Sequence, residues 1–251
     1  MSPAIYWTLV RASQMPLDFT ENSLSGTEML KLADLRFPKR RDEWLLGRWA
    51  AKSLVKSISS YQGYSLEELE IRNTHNGAPY IQQPDGAILA DCLSISHSHR
   101  LAVCALSLGQ DLKIGADLEK TESRTDEFIA DYFTKEEQGL VACTPVEIRH
   151  TAVNLVWSMK ESMLKALGVG LHWDSRKVEV RGIEGFYPLM PRSGEWQKMQ
   201  IGDFQEPGRQ WAGWWQCRKD FVITLAGFAG GSMEPASIRL VEKHIGRKFA
   251  M

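Results

Sequence analysis

Glu161 and Lys165 stand one helical turn apart in the stretch Trp157–Gly168, WSMKESMLKALG. Residues four apart stack on one face of an α-helix, so this carboxylate and this ammonium point the same way. Alone they would describe a surface ion pair. Upstream lie Asp117 and Glu119 in IGADLEK and the triplet Ser96–His97–Ser98 in SISHS. Together these residue types suggest a metal, a phosphate and a nucleophile to be activated. Asp117 and Glu119 alternate with Leu118, so on a strand the two acids share a face. D-x-E by itself is often only a solvated pair. If Glu161 joins it, each like-charge pair at about 4 Å costs on the order of 4 kcal/mol at an effective dielectric near 20. Such a cluster needs a cation or a proton. Oxygen ligands with no matching cysteine or histidine spacing select Mg²⁺, which keeps coordination positions open for phosphate oxygens. The implied substrate is a diphosphate or a nucleotide. Lys165 is placed to neutralise charge on a leaving phosphate, and His97 to donate to another phosphate group. Glu161 is the best-placed general base, provided that the metal leaves it enough basicity. No G-x-x-x-x-G-K-[ST] loop or kinase-type glycine loop occurs, which disfavours ATP hydrolysis and kinase chemistry.

The elements that must position these residues follow from pattern. Ile5–Val10 alternates as a first strand, and Pro16–Thr27 reads as a polar connection or short helix. A long helix begins near Pro38, a good first-turn residue, and runs to about Ile58. On it Arg41, Arg48 and Lys52 fall at i, i+7 and i+11 in a narrow stripe. That stripe is either a solvated basic face or a phosphate-binding edge, and spacing does not separate the two. Leu69–Arg72, Tyr80–Ile81, Cys92–Ser96 and Leu101–Leu108 read as strands, with Asn76–Gly77 as a turn. Gly109–Asp111 turns the chain into Lys113–Glu119. A second long helix starts at a Thr144 N-cap with Pro145 at its first position and Glu147 at its third, and ends at Gly168. Its apolar stripe is Val156, Met159, Met163 and Leu167; Asn154, Ser158, Glu161, Ser162 and Lys165 lie opposite. Lys160 falls at the edge of the apolar stripe, an awkward place for a solvated lysine. Lys177–Arg181 is a strand, Trp211–Cys217 with Phe221–Phe228 a closing hairpin, and Ile238–Lys248 a basic tail helix. Helix, strand, turn, strand occurs after Pro38 and again after Pro145. This suggests two α+β halves of roughly 100 residues with a seam near Asp111.

Composition bounds the answer. The chain has 251 residues, 43% hydrophobic and 24% charged, with a formal net charge of −1. That is an ordinary soluble globular balance with nothing to suggest nucleic-acid binding. No apolar run approaches the roughly 18 residues that span a bilayer, and the start lacks the pattern of a secretory leader. The scattered Cys92, Cys104, Cys143 and Cys217 fit free thiols in a reducing compartment. The expectation is a cytoplasmic protein without membrane or nucleic-acid partners.

SISHS, IGADLEK, YFTKEE and WSMKESMLKALGVGL, in this order, resemble the 4′-phosphopantetheinyl transferases of the larger, Sfp-type branch. The resemblance is strongest over Asn76–Leu171, is supported by GRWAAK at Gly47–Lys52, and leaves the residues after about Gly230 unexplained. It implies that the 4′-phosphopantetheine arm of coenzyme A is moved, with Mg²⁺, onto a serine of an apo carrier protein, acyl, peptidyl or polyketide, releasing 3′,5′-ADP. The implied fold is α+β, a pseudo-dimer of two similar halves, each a long helix on a small antiparallel sheet, with the active site in the cleft between them. The halves would be residues 1–111 on the coenzyme A phosphate side and 112–230 on the metal and catalytic side, followed by a tail at 231–251. By position, Asp117, Glu119 and Glu161 match the metal-binding acids, and Glu161, Lys165 and Glu137 the catalytic set, with a metal-linked water as rival general base. His97 matches the histidine that contacts a coenzyme A phosphate, and Arg48 a phosphate-binding arginine. Arg41, Lys52, Ser96, Lys160 and Lys165 complete the expected coenzyme A contacts. Such a pseudo-dimer is expected to work as a monomer. Two departures stand out: Ala78 in Gly77–Ala78–Pro79, where members often carry lysine, and Ala116 ahead of Asp117. The rival readings are a non-catalytic relative that binds coenzyme A or a carrier protein, against which every expected catalytic side chain is present, and an unrelated Mg²⁺ phosphohydrolase, which leaves the motif order unexplained.

Overall fold

The computed structural model describes residues 3–89, 91–109, 111–169, 173–183, 186, 192–206, 208–229 and 237–245. Its contacts divide the chain into two units, Met1–Gln110 with Arg239–Met251, and Asp111–Ile238. Residues 231–236 and 246–251 of the expected tail lie outside the described residues. No helix among the described residues is long and apolar enough to cross a membrane.

In the first unit, β1 (Ala4–Arg11) leads through α1 (Phe19–Ser23) and α2 (Gly26–Asp34) to the long α3 (Pro38–Lys56). Next come β2 (Glu70–Asn73), β3 (Pro79–Gln82), β4 (Cys92–Ser98) and β5 (Leu101–Ser107). Pro38 sits at the first turn of α3, where its missing N–H costs no helical bond. The helix buries Leu46, Trp49, Ala50, Leu54 and Val55 in one core with Val10, Ala102, Cys104 and Leu106 from the sheet. The sheet order is β11 (Arg239–Glu242), β1, β5, β4, and β2 and β3 pair separately. The strand β11 (Arg239–Glu242) comes from the far end of the chain and pairs in parallel with β1, Ile5 opposite Leu240. Thr8 Oγ1 donates to Lys243 O at 2.7 Å and Lys243 N to Trp7 O at 2.8 Å, which fixes this return. The basic tail helix expected over Ile238–Lys248 is therefore corrected at its described start. Leu240 and Val241 complete a sheet edge, where strand pairing satisfies the backbone of β1.

In the second unit, β6 (Leu112–Lys120) leads through α4 (Asp126–Tyr132) and α5 (Lys135–Ala142) to the long α6 (Arg149–Leu167). Then follow β7 (Val178–Ile183), β8 (Gln197–Asp203), β9 (Trp211–Arg218) and β10 (Phe221–Ala229), in sheet order β6-β10-β9-β8-β7. The helix begins at Arg149, later than the Thr144 cap expected. Thr144 Oγ1 instead donates back to Leu140 O at 3.0 Å, and Ile148 N donates to Pro145 O at 3.2 Å in a separate turn. Gly168 ends α6 in the left-handed region at φ 69°, where glycine carries no Cβ penalty.

The two units share one α+β plan: a strand, short helices, a long helix, an antiparallel strand pair, and a hairpin whose last strand returns beside the first. The likeness reaches individual side chains. Ser25 and Glu28 cap α2 reciprocally, and Thr134 and Glu137 do the same for α5. Each capping glutamate also accepts a strand amide, Ile71 N at 3.1 Å in β2 or Val180 N at 2.8 Å in β7. Each pairs with a fully buried lysine of the long helix, Lys52 at 2.5 Å or Lys160 at 2.6 Å. A Glu–Lys pair thus ties short helix, long helix and strand together in both units.

Candidate active site

The second unit gathers the acids where α6 crosses β6. Gly115 makes the crossing possible: a Cβ there would lie 1.8 Å from Ser162 O and 2.8 Å from Ala166 N, backbone atoms that have no room to yield. Two positions on, Asp117 points to the same side of the strand and is buried. Lys165 Nζ reaches back from α6 to Asp117 Oδ1 at 2.6 Å and to Ala116 O at 3.2 Å. Ser158 Oγ, two turns earlier on α6, donates to Asp117 Oδ2 at 2.8 Å. Thr224, the partner of Asp117 across the β6–β10 ladder, stands within 2.9 Å of Ser158 Oγ and 2.7 Å of Ser162 Oγ. Ser158, Ser162 and Asn154, read from the sequence as the face opposite the core stripe, are fully buried, because α6 lays that face on the sheet.

Glu119 follows on the same face. Arg124 Nη2 lies 3.3 Å from its Oε2, and the Trp157 indole also hydrogen bonds to it. The guanidinium is aimed by Asn154, whose Oδ1 accepts from Arg124 Nε at 3.1 Å, and it lies over the Phe128 ring at 5.1 Å. Burial, followed by the charge of Asp117, pushes the Glu119 carboxyl up to about 7. Glu161 is likewise raised to about 7 by burial; Lys165 opposes the shift, and Asp117 and Glu119 add to it. Among the described residues, Glu161 Oε1 is buried without a hydrogen-bond partner. Three carboxylates that feel one another, two of them held near neutrality and one oxygen left orphaned, are short of positive charge.

A divalent cation fits that shortage, and oxygen donors suit Mg²⁺. Among the described residues, however, no three His, Cys, Asp or Glu side chains are gathered into a preformed metal cage. The ammonium of Lys165, seated on Asp117, supplies part of the missing charge.

The remaining expected site residues divide. Glu137 and Lys160 are both fully buried and bonded to each other at 2.6 Å. Glu137 also accepts from Thr134 N and Val180 N at 2.8 Å, and Lys160 donates to Val178 O at 2.8 Å. Burial pushes the Glu137 carboxyl up and the Lys160 ammonium down, while each one's charge opposes the other's shift. These two groups hold the unit together and have no surface to offer a substrate. Lys52 is likewise fully buried on Glu28 and donates to Ser23 O at 2.7 Å and Leu66 O at 2.8 Å. Arg48 is 6% exposed, with Nη2 on Asn73 Oδ1 at 2.7 Å, the Trp44 ring at 4.7 Å and Nε paired with Glu28 Oε1 at 3.8 Å. Arg41 is exposed and donates to Leu32 O at 2.9 Å, so the basic stripe is not one face. Ser96 and His97 lie half-buried on β4, opposite Val103 and Ala102 of β5. Arg124, Asn154 and Thr224 were not singled out as site residues from the sequence. Thr224 alone carried a signal, as the one hydroxyl in the apolar strand FVITLAGFA.

Residues 113–225, which hold this whole cluster, match the model of the 4′-phosphopantetheinyl transferase superfamily. The holo-[acyl-carrier-protein] synthase of Lactococcus lactis subsp. lactis is 36% identical over 95 residues, 36% of this chain and 77% of that protein. The 4′-phosphopantetheinyl transferase Sfp of Bacillus subtilis is 36% identical over 121 residues, 47% of this chain and 50% of that protein. The 4′-phosphopantetheinyl transferase HetI of a Nostoc species is 24% identical over 167 residues, 63% of this chain and 68% of that protein. The chain thus spans about half to three quarters of these relatives. Two of the three are transferases by name and the third a synthase. The chain belongs to the 4′-phosphopantetheinyl transferase superfamily.

Proposed function

We propose that this chain transfers the 4′-phosphopantetheine group of coenzyme A to a serine of an apo carrier protein, releasing 3′,5′-ADP, and acts as a cytoplasmic monomer. The observation that carries the reading is the Asp117–Glu119–Glu161 cluster, with its orphaned oxygen on Glu161 and a lysine one turn away. These three acids would hold Mg²⁺, which when bound neutralises and orients the diphosphate. The serine oxygen forms a bond to the phosphorus that carries the pantetheine arm, and the bond from that phosphorus to the departing 3′,5′-ADP breaks. Glu161, one helical turn from Lys165, is the group assigned to accept the serine proton, with the basicity that the bound cation leaves it. Lys165, 27% exposed and already beside the cluster, stabilises charge on the departing phosphate. In the first unit the exposed Arg41, Arg48, and Ser96 and His97 on β4 are the groups assigned to coenzyme A phosphates.

The test is intact mass spectrometry of apo acyl and peptidyl carrier proteins incubated with the enzyme, coenzyme A and Mg²⁺. A gain of one phosphopantetheine arm, absent with Glu161→Gln or with EDTA, is expected. Coenzyme A binding without a mass gain on any carrier would replace this reading with a non-catalytic relative.

A further inference from the structure

We propose that Ser162, Thr224 and Ser158 form a one-way hydroxyl chain that fixes the orientation of the Asp117 carboxylate, with Ser158 as the positioning residue that contacts it. The proposal rests on the reading of Asp117 as a metal ligand.

The direction of the chain follows from counting protons. Each hydroxyl has one proton to donate, whereas a carboxylate oxygen only accepts. Ser158 Oγ spends its proton on Asp117 Oδ2 at 2.8 Å. In its 2.9 Å contact with Thr224, Ser158 must therefore be the acceptor and Thr224 the donor. Thr224, its proton used, must then accept in its 2.7 Å contact with Ser162, so Ser162 donates. The 3.2 Å approach of Ser162 to Thr224 O is the weaker alternative for that same proton. Every hydrogen in the chain thus points toward Asp117.

The setting gives this order its effect. Ser158, Ser162 and Thr224 are all fully buried, so no water competes for their lone pairs. Hydrogen bonds in series polarise one another in such surroundings. The geometry is set by two regular elements: Ser158 and Ser162 are i and i+4 on α6, and Thr224 faces Asp117 in the β6–β10 register. With Lys165 on Oδ1 and Ser158 on Oδ2, the carboxylate is gripped at both oxygens. A ligand held at both ends presents fixed lone pairs to a cation, and partners that orient a ligand typically govern about 10–100-fold of metal affinity.

The experiment measures Mn²⁺ affinity of the full chain, with coenzyme A present, by electron paramagnetic resonance of the free ion, alongside thermal melting. Asp117→Asn is expected to abolish binding and Ser158→Ala to weaken it about 10–100-fold. Thr224→Val keeps the shape and removes the hydroxyl, so it is expected to weaken Mn²⁺ several-fold. Thr224→Ser keeps the hydroxyl and restores it. Ser162→Ala has the smallest effect, because Thr224 still donates to Ser158. Added to Ser158→Ala, Thr224→Val changes the affinity no further. The chain is overturned if Ser158→Ala binds normally while Asp117→Asn does not. It is equally overturned if Thr224→Ser weakens Mn²⁺ more than Thr224→Val, the signature of packing. Should Ser158→Ala fail to fold, the two Thr224 variants decide. Mn²⁺ binding that ignores Asp117→Asn would instead overturn the metal reading underneath, and the chain's role with it.

Discussion

Replacing Glu137 by glutamine separates a scaffold role from a catalytic one. Glu137 is fully buried and receives three short bonds, from Lys160 Nζ at 2.6 Å and from Thr134 N and Val180 N at 2.8 Å. An amide has one oxygen to meet these donors, and its NH₂ group must face another of them. The buried Lys160 ammonium then loses its bonded counter-charge and keeps only the more distant Glu179 and Asp174, a loss of about 3–5 kcal/mol. For a chain of this size that corresponds to a fall in melting temperature of roughly 6–20 °C. Adding Lys160→Met removes the stranded charge and should recover most of the loss, leaving about 1–3 kcal/mol for the unsatisfied Val178 carbonyl. Calorimetry or urea unfolding of the four proteins gives the cycle, and carrier modification per folded molecule gives the activity. The double variant is expected to transfer at close to the wild-type rate. An Glu137→Gln protein that melts normally but loses about 10²–10⁴ in rate, as a removed acid or base would, refutes the scaffold assignment.

Three further outcomes follow from the same geometry. Gly115→Ala drives a methyl into Ser162 O and should push α6 off β6, lowering both melting temperature and Mn²⁺ affinity; an unperturbed crossing would show as wild-type values in both. Glu119 and Glu161 titrate near 7 in the folded protein against an ordinary 4.5, so the fold binds these protons more tightly than the unfolded chain does. The metal-free protein is therefore favoured by this linkage below about pH 4.5 and loses on the order of 3 kcal/mol for each of the two acids as pH rises from there through 7, whereas saturating Mg²⁺ flattens the loss. Urea melts across that range read it, and a metal-free profile that is flat or rising contradicts the burial of these acids. Lys165→Met should lower the transfer rate far more than it raises the KM for the carrier, because charge on the leaving phosphate develops only as the bond breaks; a pure KM effect would assign Lys165 to binding alone.

The site was legible in the sequence where its logic is local. Asp117 and Glu119 alternate around Leu118, and Glu161 and Lys165 share a helix face, so period alone put each pair on one side. Lys160 was visible as misplaced but not as paired, since Glu137 meets it only after α5 packs on α6. The Arg41–Arg48–Lys52 stripe misled because helical spacing records angle but not depth. Lys52 reaches Glu28 across the fold, whereas Arg41 stays outside. Thr144 carried every mark of an N-cap, yet the hydroxyl had a nearer acceptor in the helix before it. The duplication was faint in residue identity because the matched features are capping boxes and buried pairs, which Ser25–Glu28–Lys52 and Thr134–Glu137–Lys160 build from different neighbours.

The return of β11 to β1 orders the birth of the molecule. Asp111–Ile238 forms a continuous unit, so it can fold as soon as it clears the ribosome. The first unit is synthesised earlier, but its β1 edge stays bare until Arg239–Glu242 has been made. During that interval a strand bearing Ile5 and Trp7 offers unpaired amides to any neighbouring nascent chain. A stop codon ahead of Arg239 would make that interval permanent, leaving Asp117, Glu119 and Glu161 intact in a protein prone to aggregate through its other half.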